Sequence, residues 1–104
     1  MTAHEAKALS LEVWQYLAEH PEIKYKRDLP KAIFSKIEKL ENTCPLCELY
    51  YDDYSGCPEC PLEDCTYFSL YGRWCYCSKD ERQSAAQAIV NKIKAWEPKE
   101  INNA

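Results

Sequence analysis

The chain has 104 residues, a formal net charge of −4, seven cysteines, six prolines and two glycines. That length is one domain, small enough to bury limited surface and to call for a staple such as a metal or disulfides. An odd cysteine count excludes a fully paired disulfide set within one chain, and Gly56 and Gly72 alone cannot build a glycine-rich phosphate loop.

The first twenty residues carry His4, Glu5, Lys7, Glu12 and Glu19, so no signal peptide is read there. No stretch is long and apolar enough to cross a membrane. The expectation is a cytoplasmic protein without a membrane partner. In that reducing compartment thiols persist, and metal is favoured over disulfides.

Thr2 and Glu5 have the spacing of a capping box. Ala6, Leu9, Val13, Trp14 and Leu17 follow at three- and four-residue intervals. The pattern predicts an amphipathic helix to about Glu19, stopped by Pro21, which pushes the residue before it out of helical space. Asp28 is the next candidate N-cap, with Pro30 in the first turn. Ile33, Phe34, Ile37 and Leu40 give a second helix an apolar face, ending near Glu41-Asn42.

Thr43 to Cys65 shows no sustained period and holds Pro45, Gly56, Pro58 and Pro61. It reads as tight turns around a metal. Tyr67 to Cys77 is aromatic-rich, and the Leu70/Trp74 and Tyr67/Tyr71 spacings favour a short helix over a strand. Ser78 and Glu81 repeat the capping-box spacing. Ala85, Ala86, Ile89, Val90, Ile93 and Trp96 then mark a last helix, with Pro98 just beyond it. Residues 99–104 are expected to be a mobile tail. The core is expected around Trp14, Phe34, Ile37, Trp74, Ile89 and Trp96.

Charge alternates along the chain. From Lys24 to Lys39 six bases face two acids. From Glu41 to Tyr71 there are seven acids and no Lys or Arg. From Arg73 to Lys99 six bases face three acids. These could be solvated faces that offset one another in the fold.

Cys44-Pro-Leu-Cys47 and Cys57-Pro-Glu-Cys60 are two CxxC turns separated by nine residues. Each such turn aims two thiolates at one point, and two turns complete a tetrahedron with Zn–S near roughly 2.3 Å. Cys65, five residues after Cys60, can replace Cys57 or Cys60 as fourth ligand, so the candidate set is Cys44, Cys47, Cys57, Cys60 and Cys65. Cys75 and Cys77 suit small buried apolar positions. A CPxC motif also occurs in thiol–disulfide enzymes, but there it follows a strand in a βαβ unit, which this pattern lacks.

No hydrolase constellation is readable. His4 and His20 lie in or at the end of the first helix, and Asp52-Asp53 and Glu63-Asp64 read as solvated loop residues. A non-enzymatic protein is expected. A nucleic-acid binder needs a basic stripe, which the acidic cysteine region cannot supply; the 24–39 segment could. The acidic stretch with Tyr50, Tyr51, Tyr54 and Tyr67 instead suits a protein partner, since tyrosine offers contact area with a polar tip and carboxylates steer towards basic grooves. Those tyrosines could equally pack around the metal.

The order of Cys44-Pro-Leu-Cys47, Cys57-Pro-Glu-Cys60-Pro61-Leu62, Cys65, Tyr71-Gly-Arg-Trp74 and the Ala85–Trp96 helix resembles the small cysteine-knuckle proteins commonly encoded by phages and prophages. The likeness spans roughly residues 10 to 97; Cys75 and Cys77 fall outside it. It implies a zinc site and a viral origin, and supplies no reaction. The expectation is a mainly α domain over 1–98 with a zinc knuckle at 43–65. Its expected function is to bind and modulate a host protein, with host defence and transcription as the candidate targets. Nucleic-acid binding and thiol redox chemistry are the alternatives.

Overall fold

The computed structural model describes residues 2–40, 44–46, 74 and 78–97. The first helix, α1, runs Ala3–Glu19. Its capping box is complete: Thr2 Oγ1 accepts from the Glu5 N–H at 3.0 Å, and Glu5 Oε1 accepts from the Thr2 N–H at 2.7 Å. These bonds, that to the Thr2 backbone first, hold the Glu5 carboxyl below its usual range. At the other end, His20 before Pro21 leaves helical geometry (φ −129°, ψ 69°) and its N–H bonds back to the Leu17 carbonyl.

The second helix departs from expectation. Asp28 does not cap it. Asp28 lies in a 3₁₀ turn, Lys26–Asp28, and its N–H donates to the Tyr25 carbonyl at 2.9 Å. Pro30 occupies the cap position without a side-chain bond, and α2 is short, Lys31–Phe34. Beyond it, i→i−3 bonds from Lys36, Ile37 and Leu40 mix with the i→i−4 bond from Glu38, a series of tight turns. The physical reason is that the cap offers no acceptor side chain, and Ile33, Phe34, Ser35 and Ile37 are mediocre helix formers. The turns still deliver Ile37 to the core, with Ile33, Phe34 and Leu40 half-buried against it.

The last helix, α3, runs Lys79–Ala95. Ser78 Oγ accepts from the Glu81 N–H at 3.4 Å. Asp80 and Glu81 in the first turn and Lys92 and Lys94 in the last complement the helix dipole. Trp96 leaves the helix in extended geometry; Pro98 lies outside the described residues.

The two long helices pack antiparallel, and side-chain bonds show the direction. Lys7, early in α1, donates to the Lys94 and Trp96 carbonyls at the end of α3, at 3.3 and 2.6 Å. Arg82 and Gln83, early in α3, donate to the Pro21 and Ala18 carbonyls at the end of α1. Each helix thus satisfies carbonyls that the other's C-terminus leaves open. Between them lie Ala6, Val13 and Leu17 of α1 and Ala86, Ile89, Val90 and Ile93 of α3, all buried. Of the expected core, Trp14, Ile37, Trp74 and Ile89 are buried, and Phe34 and Trp96 are partly so.

The fold is mainly α, with no strand among the described residues. No helix among them is long and apolar enough to cross a membrane.

Ser10 sits 1% exposed in α1, and its hydroxyl has no hydrogen-bond partner among the described residues. An unpaired buried hydroxyl costs about 1–3 kcal/mol. Ser10→Ala is expected to stabilise the protein by about 1 kcal/mol, raising Tm by roughly 4–8 °C. A comparable drop in Tm would show that the hydroxyl is bonded in solution.

Candidate metal centre

Of the five candidate ligands, Cys44 lies among the described residues. Cys47, Cys57, Cys60 and Cys65 lie outside them, as do Cys75 and Cys77. Among the described residues no group of three or more His, Cys, Asp or Glu could hold a metal. The structure therefore gives the surroundings of the first candidate ligand, and the other four candidates rest on sequence spacing.

Those surroundings suit one wall of a metal knuckle. Cys44 is buried in the hydrophobic core cluster, and Pro45 and Leu46 directly after it are buried with helical backbone. A tight turn after the first cysteine is the geometry by which a CxxC motif aims two thiolates at one ion. Leu46 is fully buried, 0% exposed, so this root is anchored in the α1–α3 core. The donor chemistry fits zinc: thiolates are soft ligands, and the segment that carries them has no competing amine.

The far side of the cysteine-bearing stretch is anchored too. Trp74 has helical backbone and packs edge-on against Trp14, ring centroids 5.2 Å apart at 85°. Lys26 Nζ lies 5.5 Å from the Trp14 ring centroid, and Lys26 is itself buried. Trp14 thus takes part in a T-shaped aromatic pair and carries a cation over its ring, both favourable contacts for an indole.

Sequence reasoning placed Trp14 and Trp74 together and missed Lys26 and Arg82. Both bases read as surface charge, because nothing local in sequence marks a lysine that will lie over a ring or an arginine that will cap a distant carbonyl. Lys36 is also engaged, donating to both Glu12 carboxylate oxygens at 3.1 Å.

The two histidines sit apart from Cys44 in the fold's chemistry. His4 is exposed in the first turn of α1. His20 stacks on Tyr16, centroids 4.0 Å apart, and its Nδ1 is 3.2 Å from Glu22 Oε2. Glu22 is held below the usual carboxylate range, first by its own backbone N–H, then by His20 and the charge of Lys79. This cluster closes the end of α1. No family model, curated protein or solved structure matches the chain.

The anchoring gives a direct expectation. Leu46→Ala empties a fully buried position close to Cys44 in sequence and should cost about 2–5 kcal/mol, read as a lower urea midpoint at unchanged slope. A cost under about 0.5 kcal/mol, the range of surface changes, would show that Leu46 is not part of the core.

Proposed function

We propose that this is a small zinc-binding accessory protein, phage-encoded and non-catalytic, that binds a host protein and modulates it. The observation that supports it most is the cysteine segment itself. Two CxxC turns and Cys65 fall in a stretch with seven acids and no base, and the first turn begins in the helical core. Four thiolates around Zn²⁺ would add a net −2 to that stretch, giving an acidic surface carrying Tyr50, Tyr51 and Tyr54. Aromatic area ringed by carboxylates fits a basic groove on a protein. The likeness to phage cysteine-knuckle proteins supports the origin and the metal.

In this reading Cys44, Cys47 and two of Cys57, Cys60 and Cys65 hold the ion. The zinc supplies fold stability and surface charge. The three bases Lys7, Lys26 and Arg82 serve the helical frame internally.

The test is affinity capture from bacterial lysate with nuclease treatment, paired with zinc analysis of the purified protein. One zinc per chain is expected, lost in Cys44→Ser and kept when the spare among Cys57, Cys60 and Cys65 is replaced. A discrete host protein should be retained, and released when Asp52, Asp53, Glu63 and Asp64 become Asn or Gln. Metal-free protein as isolated, or recovery of no discrete protein partner, would overturn the reading.

A further inference from the structure

The 3₁₀ turn and α2 carry a surface that the protein-partner reading does not use. Tyr25 is the large apolar side chain left exposed among the described residues, at 53%. The Arg27 guanidinium carbon lies 4.5 Å from its ring centroid. This cation stacks on one region of the ring and holds it in place, and the exposed remainder faces solvent.

Lys24, Arg27, Lys31 and Lys39 are exposed in the same stretch. The ion pairs among the described residues, His20–Glu22 and Lys36–Glu12, involve none of the four. The other two bases of the stretch are committed elsewhere, Lys26 over Trp14 and Lys36 to Glu12. Asp28 and Glu38 are the acids exposed beside them.

Two features decide the kind of partner. Three of the four available bases are lysines, which bind phosphate as point charges and are depleted at protein–protein interfaces. The exposed aromatic is a ring pre-positioned by a guanidinium, and a ring with an open face takes a nucleobase whatever its identity. An acidic protein segment is the rival occupant, and the lysine-rich composition of the patch argues against it.

We propose that residues 24–39 bind single-stranded nucleic acid, with a base stacked on Tyr25 and phosphates held by Lys24, Arg27, Lys31 and Lys39. This goes beyond the zinc reading and rests on none of its residues, so either can fail alone. It leaves out Lys36, which Glu12 occupies.

The experiment is fluorescence anisotropy of the full-length protein with labelled twelve-nucleotide dT and U oligomers, at 50 and 200 mM salt. Four phosphate contacts predict a loss of roughly 50-fold over that salt range, from a slope near −0.7 per contact on single strands. Tyr25→Ala should weaken binding roughly tenfold or more, and Tyr25→Phe should restore it; the position is exposed, and circular dichroism checks the fold. Lys36→Ala should leave affinity unchanged. Absence of binding, or equal affinity for Tyr25→Ala, would overturn the proposal. So would competition by poly-glutamate as effective as by unlabelled oligomer, which would assign the surface to acidic protein segments.

Discussion

Everything described in this protein depends on two seventeen-residue helices that cap each other. Alone, helices of that length are marginal in water. Packed antiparallel they bury Leu17, Ile89 and Ile93 completely, and each supplies donors to the other's open carbonyls. Lys7 does this at one end, and Arg82 and Gln83 do it at the other. The hydrophobic seam supplies most of the energy, at roughly 25 cal/mol per Å². The capping bonds fix the register, because a slip by one turn would strand all three side chains. Cations at helix C-termini also oppose the negative end of the dipole.

The rest of the chain is attached to this pair by a few anchors. Ile37 and Leu29 bring the connection after α1 back onto the core. Cys44 and Leu46 begin the cysteine stretch there, and Trp74, nine residues after Cys65, packs on Trp14. In the zinc reading, metal and core would therefore act on the same residues. Structural zinc contributes roughly 10–16 kcal/mol of apparent binding energy in small peptides, against about 5–15 kcal/mol for the whole stability of a typical domain. A metal rooted at Cys44 would then decide whether the helices pair at all.

Much of the frame was legible in the sequence because its signals are local. Thr2/Glu5, Ser78/Glu81 and Pro21 mark helix ends through bonds and clashes within four residues, and the 3.6-residue period marks the buried faces. The structure bears out both long helices and four of the six expected core residues as buried. Asp28 misled because two rival start signals lay within three residues, and Pro30 took the cap. Lys26, Lys36 and Arg82 were not legible as structural residues, since their partners are remote: Arg82 and Pro21 are 61 positions apart, Lys36 and Glu12 24. For the candidate centre, spacing identified Cys44, Cys47, Cys57, Cys60 and Cys65. Burial and anchoring of Cys44 add what spacing cannot supply, a connection from the first candidate ligand to the core.

Hydrogen exchange of the zinc-loaded and chelated protein, followed by mass spectrometry, tests that connection most directly. The account predicts that chelation releases amides in Ala3–Glu19 and Lys79–Ala95 together with those of the cysteine stretch. Helices that keep full protection while the cysteine stretch alone exchanges would contradict it, showing that the paired helices fold without the metal.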